Sequence, residues 1–232
     1  MRTIILLIIY TVICILVIPL LLICPLFKWP QPIIFIGRSS LRLGWLVLGI
    51  DIEVSGLENF AKNKSYVFMA NHQSMLDVVV IALIPQFVHV IAKKEMFKVP
   101  VIGQGMKIVE YVSVDRKGKM GGRKSIERAV SLIKEKKYSF LIFPEGTRSL
   151  NGKLQQFRRG GFYLALNSGV PIVPITISGS FKLMPKYSFF IKKGKITVAF
   201  QKPVPVQGYD KSTLPELMEK VRYKIGREPK KS

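Results

Sequence analysis

The chain has 232 residues and carries 36 Lys and Arg against 14 Asp and Glu, a formal charge of +22. That length allows one substantial core, and the charge calls for an anionic partner: nucleic acid, an anionic membrane surface, a phosphorylated substrate or an acidic carrier protein. The two cysteines, Cys14 and Cys24, both lie in an apolar run, which argues against a disulfide framework and a cysteine-based metal site.

From Thr3 to Phe27 no residue is charged, and a helix of that length covers roughly 30 Å of hydrocarbon. The run is long for the apolar core of a cleaved signal peptide and no small-x-small site follows it, so a retained membrane anchor is expected. "LLIC" is a poor lipoprotein site, because Ile23 stands where a small residue is wanted. After the turn "KWPQP" comes a second apolar stretch, "PIIFIGRSSLRLGWLVLGI", with Arg38 and Arg42 one helical turn apart. Each arginine carried to the bilayer centre costs about 2.5–3.5 kcal/mol. Residues 1–50 therefore read as membrane-anchoring helices, either a pair dipping into one leaflet or a span followed by a surface helix whose arginines lie at the interface.

From Asp51 to the C-terminus the pattern is that of an α/β domain. Strands are expected at "DIEV", "SYVFMA", "FVHVIA", "IVEYVSV", "YSFLIF", "VPIVPITI" and "KITVAF", and helices over 74–84, 123–136, 159–168 and 213–226. Several strands are continuously apolar, which predicts a central, mostly parallel or mixed sheet covered by helices on both faces. Pro171 and Pro174 would move "VPIVPITI" to a sheet edge or make it irregular. The tail "REPKKS" reads as a frayed, solvated end.

Between two apolar runs lies "NHQSMLD", with His72 and Asp77 five positions apart. In one regular helix they would point about 140° away from each other. They can meet if His72 ends the strand and Asp77 sits in the first turn of the following helix, capped by Asn71 or Ser74. Asp77 would then fix one ring nitrogen and leave the other free to take a proton, a general base with its orienter. A second strand ends in "FPEGTRS", where a glycine turn projects Glu145 and Arg148 and reads as a place for phosphate.

"NHQSMLD", then "VDR", "FPEGTRS" and "VPIVPITISG", in that order across about residues 65–180, resemble the four-block signature of the glycerolipid acyltransferases, in particular the 1-acyl-sn-glycerol-3-phosphate (lysophosphatidic acid) acyltransferases. The resemblance implies transfer of a fatty acyl group from acyl-CoA or acyl carrier protein to the 2-hydroxyl of lysophosphatidate, giving phosphatidate, with no cofactor and no metal. It makes His72 and Asp77 catalytic. It assigns Arg116, Glu145, Gly146 and Arg148 to the phosphorylated acceptor, and Lys93 and Lys94 in "IAKKEMFKVPVIGQ" as further phosphate contacts. It also implies a membrane location with residues 51–232, the acyltransferase catalytic domain, on the cytoplasmic face beside anionic lipid. One position departs from the pattern: Glu110 stands six residues before Arg116, where the family has glycine.

A thioester is already activated, so no enzyme nucleophile is needed; backbone amides of the His72 turn or the Gly146 loop are the expected oxyanion donors. Glu145 is expected to orient an arginine, since beside phosphate two anions repel. His89, in "FVHVIA", reads as a packed strand residue. "GKMGGRKS", residues 118–125, nearly spells a nucleotide-binding loop, but Arg123 replaces its second glycine, and the segment reads as a basic loop entering the helix. Ser74 lacks the G-x-S-x-G elbow of a serine hydrolase. No nucleic-acid recognition pattern accompanies the charge, which leaves lipid binding without turnover as the non-enzymatic alternative.

Overall fold

The structure is a computed structural model that describes residues 2–115 and 119–227. Two helices come first, α1 (Arg2–Leu26) and α2 (Gln31–Leu48), then β1 (Ile50–Ser55), β2 (Val67–Ala70), a 3₁₀ turn at Met75–Val78, α3 (Val79–Leu83) and β3 (Val88–Lys93). They are followed by α4 (Ile102–Ile108), β4 (Val112–Val114), α5 (Lys119–Lys136), β5 (Ser139–Ile142) and α6 (Gly160–Ser168). The last elements are β6 (Ile172–Ser178), α7 (Ser180–Leu183), β7 (Gly194–Phe200) and α8 (Leu214–Gly226). The strands form one seven-stranded sheet in the order β1-β7-β6-β2-β5-β3-β4. All pairs are parallel except β6 with β7.

Alternation along β2 divides the core. Phe68 and Ala70 face one layer, with Val79 and Val80 of α3, Leu6 of α1 and Leu48 of α2. Val67 and Met69 face the other, with Ala129 and Ile133 of α5, Phe162 of α6 and Leu217 of α8. All four residues of β2 are buried because both faces are covered. The chain leaves β2 through α3 on one face and leaves the neighbouring β5 towards α6 on the other. The carboxyl ends of β2 and β5 therefore flank a crevice where the connections diverge, the place where open α/β sheets bind ligands.

Four expectations are corrected. "VPIVPITI" lies inside the sheet, between β7 and β2. Pro174 fits there because its carbonyl accepts from Gln201 N at 2.9 Å, just beyond Phe200, where β7 ends; only one return bond of the ladder is missing. "IVEYVSV" is a strand only from Val112, since Ile108 ends α4 and Val109–Tyr111 form the turn that closes it. Residues 119–125 are helical rather than a loop, and Gly121 is needed because a Cβ there would stand 2.6 Å from the Asp115 carbonyl oxygen. Arg38, expected to answer only to the interface, has partners within the protein: its guanidinium donates to the carbonyls of Ala82 and Ile84, at 3.2 and 2.6 Å, and clasps α2 to the end of α3. Such a cation matches the negative end of a helix.

Glu110 takes the backbone that a glycine would. With φ +54° it follows α4 in the left-handed conformation, and Glu110 N and Tyr111 N bond Lys107 O and Met106 O in a helix-ending motif. Its carboxylate accepts from Lys136 Nζ at 2.7 Å and from the Tyr138 hydroxyl at 2.7 Å, which offsets the strain of an L side chain there. The tail beyond Arg227 lies outside the described residues.

Candidate active site

His72 lies two residues beyond the end of β2, and Asp77 is the third residue of the 3₁₀ turn. His72 Nδ1 is 2.9 Å from Asp77 Oδ2, which also accepts from the amides of Gln73 at 2.6 Å and Ser74 at 2.8 Å. Asp77 is fully buried while the imidazole is 18% exposed, so the pair is anchored inside with its outer edge open. The ring stacks on Phe143, centroids 4.1 Å apart, which fixes its plane. Ser74 is the cap: its hydroxyl accepts from Leu76 N and donates to Met184 O at 2.7 Å. A buried serine engaged in this way is part of the turn, not a nucleophile.

Glu145 is buried, and its two oxygens are held by backbone rather than by an arginine among the described residues. Oε1 accepts from His72 N at 2.6 Å, and Oε2 accepts from Gln155 N at 2.9 Å. The carboxylate therefore joins the strand-end loop of β5 to the histidine turn. This arrangement also narrows the expected oxyanion donors. The amides of His72, Gln73 and Ser74 already bond carboxylates, and Gly146 N bonds Phe143 O at 3.0 Å.

Beside His72 a cleft runs along the sheet, walled by Ile91, Val114, Ile126 and Ile142, with Gly146, Arg158, Gly160 and Gly161 closing its polar side. Gly146 has φ +72°, and a Cβ on it would stand 2.7 Å from Arg158 Nε. Only a bare backbone lets that guanidinium pack over the turn. Gly160 and Gly161 begin α6, whose first amides have no acceptor within the helix and give that end a partial positive charge. Among the described residues, Arg158 and the start of α6 are the cationic groups at the cleft, and sequence reasoning missed both. The adjacent pair in "FRRGG" was the available signal, but nothing local says which arginine turns inward.

The other expected residues are placed as follows. Arg148 is half-buried on the loop after Gly146, and Lys186 Nζ approaches its carbonyl at 3.4 Å. Lys93 and Lys94, at the end of β3, are exposed and pair with Glu95 at 3.6 Å and Asp115 at 3.5 Å. Such surface pairs leave both amines available to a stronger anion. Arg116 lies outside the described residues. His89 sits at the start of β3, buried and stacked 3.8 Å from Tyr138. Burial lowers its pKa to about 4 against the opposing pull of Glu110, so it is a neutral wall residue.

The acyltransferase family model matches residues 51–178, which include the histidine turn, the Glu145 loop and the strands that carry them. The chain belongs to the acyltransferase family. Its curated relatives include the 1-acyl-sn-glycerol-3-phosphate acyltransferases of Saccharomyces cerevisiae, 36% identical over 76% of this chain and 59% of the yeast protein, and of Limnanthes alba, 35% identical over 77% and 65%. The alpha form from Ovis aries is 31% identical over 76% of this chain and 62% of that protein. The chain thus spans less than two thirds of the length of these relatives. The crystal structure of the 1-acyl-sn-glycerophosphate (LPA) acyltransferase, PlsC, from Thermotoga maritima shares the fold, with a TM-score of 0.79 over 99% of this chain and 97% of that one at 24% identity.

Proposed function

We propose that this protein is a 1-acylglycerol-3-phosphate acyltransferase that moves a fatty acyl group from a thioester, acyl-CoA or acyl carrier protein, to the 2-hydroxyl of lysophosphatidate. The observation that carries the reading is the His72–Asp77 pair, bonded at 2.9 Å and opening onto an apolar cleft. The named relatives support the same acceptor.

In this mechanism the acceptor oxygen attacks the thioester carbonyl carbon while His72 Nε2 takes the hydroxyl proton. Asp77 accepts from Nδ1–H, holds that tautomer and faces the imidazolium charge as it forms. The tetrahedral intermediate expels the thiolate, the C–S bond breaks, and the imidazolium returns its proton to sulfur. Because the amides of the histidine turn are engaged, the developing oxyanion is assigned to the start of α6 with Arg158. Arg148 and Arg116 take the acceptor phosphate, with Lys93 and Lys94 at the rim, while Glu145 and Gly146 position the loop. The apolar walls hold the acyl chain, and the chemistry draws on no cofactor.

Residues 1–50 act as the membrane anchor and 51–232 as the catalytic domain. The wide apolar face that α1 exposes and the Arg38 clasp support a helix pair seated in one leaflet with the sheet beside it. Both donors are cytosolic, and the lysine excess suits the anionic cytoplasmic leaflet, so the catalytic domain belongs on that side. Purified full chain, given vesicle-held lysophosphatidate and each donor in turn, should form phosphatidate by mass spectrometry. Lipid binding with no product from either donor would leave the non-enzymatic alternative.

A further inference from the structure

Between α7 and β7 the chain forms a loop, residues 184–193, that turns three aromatic side chains to solvent. Tyr187, Phe189 and Phe190 are 75, 84 and 77% exposed. The loop is built rather than slack. Ser188 N closes a turn on Pro185 O at 3.0 Å, Ser188 Oγ bonds Phe190 O at 2.9 Å, and Lys192 N bonds Leu183 O at 3.0 Å. Ile191 is packed against the core, which leaves its neighbours outside. Tyr187 occupies a left-handed backbone, φ +73°, at the turn position that glycine or asparagine usually takes. A bulky side chain held there against its preference points to a role for the side chain itself.

Two features identify the partner. The aromatics are flanked by Lys186, Lys192 and Lys193 with no acidic residue between 184 and 195, the pairing of interfacial rings with cations that suits an anionic lipid surface. The loop also adjoins the helix pair: Gly194 N donates to Gly49 O at 3.3 Å, and Arg2 Nη1 donates to Leu48 O at 3.2 Å. At that end of the pair Ile4, Leu7 and Leu46 expose their apolar side chains, and a Cβ on Gly49 would run into Arg2 Nη1 and stand 3.6 Å from Lys193 Cβ, so the loop's last lysine lies beside the junction of the two helices.

We propose that the 184–193 loop is a second membrane-contacting element, which places Tyr187, Phe189 and Phe190 at the headgroup level of the leaflet that seats the helix pair and sets its lysines on anionic lipid. The inference rests on the reading of the helix pair as a membrane seat. Its consequence for the site follows from the stem. Met184 O holds the Ser74 hydroxyl, and Lys186 Nζ reaches Thr147 Oγ1 at 3.3 Å and the Arg148 carbonyl at 3.4 Å. Docking the loop thus fixes the acceptor side of the cleft at the lipid surface.

The test uses the full chain with Cys14→Ser and Cys24→Ala, carrying one environment-sensitive fluorophore at a cysteine placed at 189, at 22 on the exposed face of α1, or at 223 on α8. Each protein is reconstituted into phosphatidylglycerol–phosphatidylcholine vesicles. The labels at 189 and 22 should be blue-shifted and quenched by nitroxide-bearing lipid, while the label at 223 should be quenched only by aqueous iodide. Lys192→Glu with Lys193→Glu should weaken lipid quenching at 189 several-fold and leave 22 unchanged. A label at 189 open to iodide beside a lipid-quenched label at 22 overturns the loop inference and spares the helix pair. Iodide access at both positions overturns both readings. Protection of 189 from both quenchers would assign the patch to a protein contact and also overturn the inference.

Discussion

The His72 backbone N–H donates to Glu145 Oε1 at 2.6 Å, and this bond ties the two motif loops into one frame. Glu145 is thereby a positioning residue. Glu145→Gln keeps the shape but sets an amide NH₂ against a backbone donor, and a buried donor left unpaired costs about 1–3 kcal/mol. The expected result is a lower melting temperature and a kcat reduced about tenfold or more, with KM for lysophosphatidate little changed. A rise confined to that KM would instead make Glu145 a substrate contact.

Ser74→Ala separates the cap from the chemistry. Loss of the cap should cost about 1 kcal/mol of stability in denaturant unfolding, and turnover per folded molecule should stay close to that of the parent. Abolished turnover in a folded Ser74→Ala protein, or covalent trapping at Ser74, would favour a serine hydrolase.

Arg148→Ala and Arg158→Ala probe two of the cationic positions. A charge-assisted hydrogen bond contributes about 1.5–3 kcal/mol, so kcat/KM for lysophosphatidate should fall roughly 10- to 100-fold for Arg148→Ala, with KM for the acyl donor unchanged. Arg158→Ala should act on kcat, because its assigned partner is charge that develops in the transition state. Lysine should rescue either poorly, since it lacks the planar fork. Equal loss of apparent affinity for both substrates would mean that the loop itself had been disturbed.

His89 and Glu110 predict acid sensitivity. Burial holds the folded-state pKa of His89 at about 4, below its ordinary value of 6.5. The unfolded chain therefore binds the proton first, and stability that is full above pH 6.5 is lost as pH falls towards 4, by about 2–3 kcal/mol. Burial raises the Glu110 pKa, but hydrogen bonds from Lys136 and Tyr138 outweigh it and hold the carboxyl below its ordinary value. Its contribution is present above that ordinary value and disappears as pH falls through the lowered one. His89→Phe should flatten the melting temperature between pH 6.5 and 4 and leave the drop at lower pH. An unchanged slope in His89→Phe would show that other groups govern it.

The strands and the His72–Asp77 meeting were legible because they depend on local patterns: apolar runs bounded by turns, and a cap followed by an acid. Glu110 was legible as an anomaly, and the structure explains it as a left-handed residue whose carboxylate found partners in Lys136, at the end of α5, and Tyr138, just before β5. What the sequence hid is tertiary. The protein partners of Arg38 were hidden because the carbonyls of Ala82 and Ile84 are more than forty residues away. The amides of the histidine turn looked free because their acceptors depend on how Asp77 and Glu145 fold inward. Pro174 misled because a strand that loses one bond at the end of a neighbouring ladder remains inside a sheet.

The central claim is that His72, held by Asp77, takes the proton of the acceptor hydroxyl. The direct measurement is the initial rate of phosphatidate formation by full-length His72→Ala, matched to the parent in circular dichroism and in binding to vesicles. The account predicts a fall of about 10²–10⁴-fold, with donor and acceptor affinities retained and with Asp77→Asn also severe. Turnover close to that of the parent in the folded, vesicle-bound His72→Ala protein would contradict it.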